Sequence, residues 1–288
     1  CKNAFYGKEG SLLMKRLDLF GLFRHITLVI FALAFLMPFI WMVLTSIKPE
    51  NEIFLNEIRW LPERFAGYEN YSTALSETPL LKFMLNGVIV TVAIFLSQIA
   101  VAVPASYALS KLQFKGKQVV FIAILACLMI PPQAVSIPWY LLMYKFGWLN
   151  SYEGLIAPFS ISVFGIFLMR QFFNSVPDDL ISAARLDGFS EFGIIWRIMV
   201  PTAIPALIAF GIFSIVAHWN DYFWPLIIAN SQDVYTPPLG VVAFKSDEAG
   251  DNYGPLMAAA TIIVAPLIIA YLCAQKRFIE GITMSGMK

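Results

Sequence analysis

Asp221 is an acid set inside an otherwise apolar run, residues 202–228, with Asn220 before it, Tyr222 after it and His218 three residues back. Carrying a carboxylate into apolar surroundings is costly unless it is paired, hydrogen-bonded or faces a wet space. Trp219 and Trp224 flank it. Carboxylate, carboxamide and indole groups in one short stretch offer hydrogen bonds together with apolar ring faces. That chemistry suits a passage for a polar solute. Two plainer uses stay open, a cap on the end of a helix or packing against another subunit. Consecutive residues on a helix point in different directions, so Trp219, Asn220, Asp221 and Trp224 cannot all face one space.

A second segment, 175–201, carries information of another kind. Pro177 suits a first helical position, and Asp178 and Asp179 suit the positive end of a helix dipole. Leu180, Ala183 and Ala184 fall at i, i+3 and i+4, on one face. Gly188 is a natural stop. Ser190 then caps a second short helix reaching about Met199, and Pro201 opens the next apolar run. The pattern predicts a helix, a glycine turn and a helix. Two small alanines on a protruding helix make a knob that can enter a cleft on another protein, with Asp179, Arg185 and Asp187 fixing its register. An ordinary amphipathic surface helix is the alternative.

The remaining reactive residues are sparse. Cys1, Cys127 and Cys273 fit no metal or redox spacing, and the last two lie in apolar runs where small core residues are expected. Two histidines, His25 and His218, argue against haem ligation and most metal sites, and so against a redox subunit.

The elements that position these residues follow from composition. The 288 residues are 59% hydrophobic, 15% aromatic and 14% charged, against about 25% charged in a soluble domain. The net charge of +1 gives no basic excess for nucleic acid. Six apolar runs approach the ~20 residues that span a bilayer as a helix, at about 26–47, 83–110, 119–134, 155–169, 202–228 and 255–274. Backbone groups in lipid must bond internally, so these runs are read as helices in an all-α membrane protein. Pro131-Pro132 should end or kink the third run. The first run is too long for a cleaved signal and reads as a retained anchor.

Lys and Arg in the loops set the orientation. Of the 20, 14 fall in the 1–25 tail, the 111–117 loop, the 170–200 loop and the tail beyond 274. Lys48, Arg59, Arg64, Lys82, Lys145 and Lys245 fall on the other side. Both termini and the 175–200 loop are therefore expected in the cytoplasm. Glu50, Glu52, Glu57, Glu63, Glu69 and Glu77 crowd the first outer loop, as a solvated surface or a docking surface. The ring-rich stretch 135–150 suits an interfacial anchor.

Three motifs carry a resemblance. Ala183, Ala184, Asp187, Gly188 and Pro201 match the EAA loop of permease subunits from binding-protein-dependent ABC importers, with Ser182 where that family usually has Glu. Trp219-Asn220-Asp221-Tyr222-Phe223-Trp224-Pro225-Leu226 is similar to a run of carbohydrate-type permeases. Arg277-Phe278-Ile279-Glu280-Gly281-Ile282-Thr283 resembles the ending of the MalG-like half. The likeness extends from about residue 20 to the end.

It implies a type I ABC importer permease fold with six transmembrane helices in a bacterial cytoplasmic (inner) membrane. It also implies a second homologous permease subunit, two ATP-binding cassette subunits and an extracytoplasmic solute-binding protein as partners, beside membrane lipid. Ala183, Ala184, Asp187 and Gly188 are then the residues for coupling to the ATPase. Trp219, Asn220, Asp221 and Trp224 are candidates for the substrate pathway, with Asn86 and Gln98 as weaker ones or as helix–helix hydrogen bonds.

No Gly-x4-Gly-Lys-Ser/Thr loop occurs in the sequence, and Lys115-Gly116-Lys117 lacks the pattern. ATP and Mg are thus expected on the partner ATPase, with no cofactor on this chain. A sugar or oligosaccharide is the expected solute. A glycerol phosphate, an amino acid or a peptide stays open, as does an ion-coupled secondary transporter, although no internal repeat marks one.

Overall fold

A computed structural model describes residues 6–55, 57, 59–244 and 252–285, and among them every regular element is a helix. Cys1, Lys2, Lys245 and Lys288 lie outside the described residues. Three helices are long and apolar enough to cross a membrane. They are α1 (Tyr6–Thr45) through its segment Phe20–Thr45, α3 (Leu80–Lys111), and α14 (Tyr253–Ser285) through its segment Tyr253–Cys273. Between α1 and α3 lies the short α2 (Gly67–Ser76).

Three further crossings would each need a pair of shorter helices, joined through bends of 98°, 44° and 81°. The first pair is α4 (Lys117–Ala126), extended by a 3-10 turn to Met129, and α5 (Pro132–Phe146). Pro131-Pro132 makes this bend, as the sequence requires, because neither proline can donate to the preceding turn. The second pair is α6 (Tyr152–Ile156), with its 3-10 extension, and α7 (Val163–Asn174). The fourth apolar run hid this break. Its mark is Ser162, whose hydroxyl accepts from Gly165 N at 3.0 Å and starts α7 afresh.

The third pair follows α8 (Asp178–Leu186). It joins α9 (Glu191–Ile194), a π-helical turn Ile195–Met199 and α10 (Val200–Thr202) to α11 (Ile204–Trp219). The expected opening of this run at Pro201 is corrected to Ala203, where the chain turns before Pro205. The run also does not reach Ile228 as one helix. It stops at Trp219, and the separate α12 (Phe223–Ile228) follows, then α13 (Pro237–Gly240).

Side-chain bonds sort the loops to two ends of the molecule. At one end, Lys111 Nζ donates to Val176 O at 2.5 Å, Arg170 Nε to Leu109 O at 3.0 Å, and Lys117 Nζ to Ser110 O at 2.9 Å. These bring together the C-terminal ends of α3 and α7, the start of α4 and the 175–190 segment, the same loops that the cation count placed on one side. At the other end, Asn86 Nδ2 donates to Asp233 O and Tyr235 O, both at 2.9 Å, and Asn150 Oδ1 accepts from Asn230 N at 2.8 Å and Ser231 N at 2.9 Å. Helix α3, about 48 Å long at 1.5 Å per residue, joins the two ends.

A separate core serves each end. Val103, Tyr107, Phe173, Ile181, Ala184 and Met199 pack at the first, and Val90, Ile94, Leu155, Trp224 and Ile228 at the second. The acidic loop between α1 and α2 is largely tied to itself. Glu63 pairs with Arg59, Glu69 with Arg64, and Glu52 accepts from the backbone of Glu63 and Arg64. Helix α5, the ring-rich stretch, leaves Ile137, Tyr144 and Phe146 exposed while Trp139 turns toward the second core.

Candidate functional site

Two places have chemistry to offer, one at the C-terminal end of α3 and one beside its middle. At the first, α8 begins after Pro177 with Asp178 and Asp179 in its first turn. It ends where Gly188 takes φ +82, a left-handed angle that favours glycine. Three bonds close that turn: Asp187 N to Ala183 O at 2.9 Å, Gly188 N to Arg185 O at 3.1 Å and Phe189 N to Ala184 O at 3.1 Å. The Ser190 hydroxyl then accepts from Gly193 N at 3.2 Å and starts α9. Helix, glycine turn and helix thus stand as the spacing predicts, except that Pro177 is the extended residue before α8 and not its first helical position.

The alanine pair needs a correction. Ala184 is buried in the first core beside Ile181, while Ala183 and Leu180 face outward. At 100° per residue adjacent alanines diverge, and the core takes the second of them. The protruding face therefore consists of Leu180, Ala183, Leu186 and Phe192, of which Leu186 is 90% exposed. Asp187 and Gly188 are exposed, and with Phe189 and Arg197 they border a recess of about 440 Å³. Ser182, at the position of the expected Glu, folds its hydroxyl back onto Asp178 O at 3.0 Å.

Charged clasps hold this end. Arg185 meets both carboxylate oxygens of Glu191, at 2.8 Å and 3.2 Å, and the Tyr107 hydroxyl donates to the same carboxylate. Lys111 Nζ lies 2.6 Å from Asp178 Oδ1 and holds that carboxyl below the usual carboxylate range. The hydrogen bond to Glu191 raises the Arg185 guanidinium above its already high value.

Beside the middle of α3 a cavity of about 310 Å³ is bordered by Gln133 and Trp139 from α5, Phe159, His218 from α11, Asp221 and Trp224. Its aromatic walls brace one another, with Trp139 edge-on to both Phe159 (5.6 Å) and Trp224 (5.8 Å). Gln98 supports the wall from α3. Its amide nitrogen donates to Phe159 O at 2.9 Å and lies 3.1 Å from His218 Nε2, while Ser214 donates to its oxygen at 2.7 Å. Gln98 and Asn86 are both helix-bridging groups.

The four expected pathway residues separate. Asp221 and Trp224 border the cavity; Trp219 and Asn220 do not. Asp221 also caps α12, its Oδ1 accepting from Phe223 N at 3.0 Å and Trp224 N at 3.3 Å. Trp224 Nε1 donates to Gly154 O at 2.9 Å, and the buried Trp219 donates to Ile263 O at 3.2 Å. Asn220 turns back to Val216 O at 2.8 Å. Gln133, Trp139 and Phe159 had no signal in the run that carries Asp221, since they arrive from α5 and from the break before α7. Among the described residues no group of three His, Cys, Asp or Glu side chains gathers to hold a metal ion.

Residues 98–283 match the model for binding-protein-dependent transport system inner membrane components. The chain is 30% identical over 259 residues to the arabinooligosaccharides transport system permease protein AraQ of Bacillus subtilis, covering 89% of this chain and 92% of that protein. It is 30% identical over 267 residues to the trehalose/maltose transport system permease protein MalG of Thermococcus litoralis, covering 90% and 94%. Among solved structures, a chain of a bacterial ABC transporter involved in the import of the acidic polysaccharide alginate superposes with a TM-score of 0.79 at 25% identity, covering 91% of this chain and 97% of that one.

Proposed function

This chain belongs to the binding-protein-dependent transport system inner membrane components, and on that premise we propose that it is the permease subunit of an ATP-driven importer for a sugar or oligosaccharide. The observation that carries the reading is the outward helix–Gly188–helix loop, which α3 joins to a ring-lined cavity beside its middle. The relatives support the solute class, because AraQ and MalG are named for arabinooligosaccharides and for trehalose and maltose.

In this reading the chain crosses the inner membrane six times with both termini in the cytoplasm. A second permease subunit completes the pathway, and two ATPase subunits bind ATP and Mg and press on the loop at Leu180, Ala183, Asp187 and Gly188. A related alginate importer has been solved with a saccharide-bound periplasmic protein, and this chain receives its solute from a partner of that kind. Alternating access follows as a largely rigid rearrangement of packed helices. The cavity takes one sugar unit, with Trp139 supplying an apolar face, Trp224 bracing it from behind and Gln133 and Asp221 forming hydrogen bonds. Its volume lies at the small end of ligand sites, roughly 300–1,000 Å³.

The test is uptake into proteoliposomes holding the full complex, with binding protein outside and nucleotide inside. Uptake of labelled arabinooligosaccharide or trehalose should require ATP. Uptake driven by a proton gradient without ATP would sink the reading in favour of a secondary transporter.

A further inference from the structure

The loop is tied to the rest of the chain covalently at α7 and at α11, through the first core by Ile181 and Ala184, and by side-chain bonds into α3, and two of these routes differ in stiffness. The covalent route into α11 runs from α9 through a π-helical turn and an 81° bend. A π turn departs from the i→i+4 ladder and a sharp bend interrupts it, so this joint is the softer one. The second route is through side chains into α3. Lys111 grips the start of α8 at Asp178 and the chain just before it at Val176 O. Tyr107 grips the start of α9 at Glu191, which also holds Arg185. Tyr107 and Lys111 stand at i and i+4, on one face of α3. The loop from Val176 to Glu191 is therefore pinned at both ends to the last two turns of a single helix. The Lys111 side chain is 5% exposed and the whole of Tyr107 1%, so both grips originate inside the packed body.

The same helix supports the wall of the cavity. Gln98 lies nine residues before Tyr107, about 14 Å along the axis, and holds Phe159 O, Ser214 and the His218 ring edge. Pro104 falls between the two contacts and removes one ladder bond, yet α3 continues unbroken through it. Ser106 there donates to Ile166 O at 2.9 Å, tying α3 to α7.

We infer that α3 is the strut that carries movement from the loop to the cavity, and that Tyr107 and Lys111 are its positioning residues. The inference rests on the reading that a partner ATPase presses on the loop. Neither residue lies on the outward face of α8 or lines the cavity, so each acts only through the groups it holds.

The experiment uses the complete importer in lipid nanodiscs, with Cys1, Cys127 and Cys273 replaced by serine and Gln133→Cys placed at the cavity. N-ethylmaleimide labelling of that cysteine is timed without nucleotide and with ATP plus vanadate. In the parent complex the two rates should differ by about tenfold, within the 5–150-fold of ordinary allosteric coupling. With Tyr107→Phe or Lys111→Met the ratio should fall to within about twofold of unity, while the complex assembles and hydrolyses ATP at the basal rate. Lys111→Arg should restore most of the ratio.

A full ratio in both variants overturns the strut. Parallel loss of assembly and of ratio in both also overturns it, since that is the behaviour of merely structural residues. A parent complex whose labelling ignores ATP overturns the importer reading itself, and is thereby distinguished from failure of the strut.

Discussion

The loop at the C-terminal end of α3 and the cavity beside its middle are held by opposite kinds of contact. At the loop end the grips are a lysine ammonium and a tyrosine hydroxyl reaching out to carboxylates, and the Asp178 side chain that Lys111 holds is 84% exposed. At the cavity end the grips are indole and carboxamide groups bonded to backbone carbonyls, and Trp224 is 2% exposed. Exposed ion pairs each contribute about 0–1 kcal/mol and are exchanged cheaply with water or a partner. A buried donor leaves an unsatisfied carbonyl behind when it is removed, at about 1–3 kcal/mol. The contrast suggests a division of labour: the loop end is adjustable and signals, while the cavity end is stiff and holds a shape.

The widest separation between the two is expected at Trp224. Trp224→Ala removes a fully packed ring from against Trp139 and Phe159 together with its bond to Gly154 O. Large aromatic-to-alanine changes in a core cost about 3–5 kcal/mol. The purified chain should melt well below wild type in detergent. A variant that melts with wild type would mean that the cavity wall is no core at all, and the contrast would fail.

The two alanines sharpen the comparison within the loop itself. Ala184→Trp forces a large ring into the first core, where Ala184 packs with Ile181 and Tyr107, and over-packing costs about 1–3 kcal/mol. Ala183→Trp puts the same ring into solvent. Thermal melts of the isolated chain should show a loss for Ala184→Trp and almost none for Ala183→Trp. In the assembled importer, substrate-stimulated ATP hydrolysis should fall in both. Equal melting of the two variants would contradict the burial difference on which the outward face was defined.

How far these features were legible follows from the range of the forces that set them. The loop was read nearly whole, because Pro177, Gly188 and Ser190 act on their own backbone within three or four residues. What the spacing left open was which alanine turns inward, since that depends on α3 and the first core. The cavity was read only in part. Asp221 and Trp224 stood out as polar and aromatic groups in an apolar run, but Trp219 and Asn220 shared that signal and turned elsewhere. Gln133, Trp139 and Phe159 are brought in by the bend at Pro131-Pro132 and the break before α7. Hydropathy registers how apolar a run is, and a broken helix is as apolar as a straight one. The same blindness merged 202–228 into one span, where Asp221 restarts the chain as α12.

The smallest expected effect belongs to Asp178, and its dependence on pH makes it informative. Lys111 holds the Asp178 carboxyl below the ordinary carboxylate range of about 3.9. A carboxyl depressed in the folded state stabilises the fold while pH stays above the unfolded value, and that contribution fades as pH falls through the folded one. Wild type should therefore melt slightly above Asp178→Asn near pH 7, and the two curves should converge as pH drops below about 4. The gap should shrink with added salt, because the carboxylate is in water. Asparagine keeps an oxygen facing Lys111, so the clasp loses its charge and not its shape. A large, salt-insensitive gap would mean that the nearly buried Lys111 ammonium depends on Asp178 for its neutralisation. The loop end would then be as rigid as the cavity end, and the adjustable half of the comparison would have to be given up.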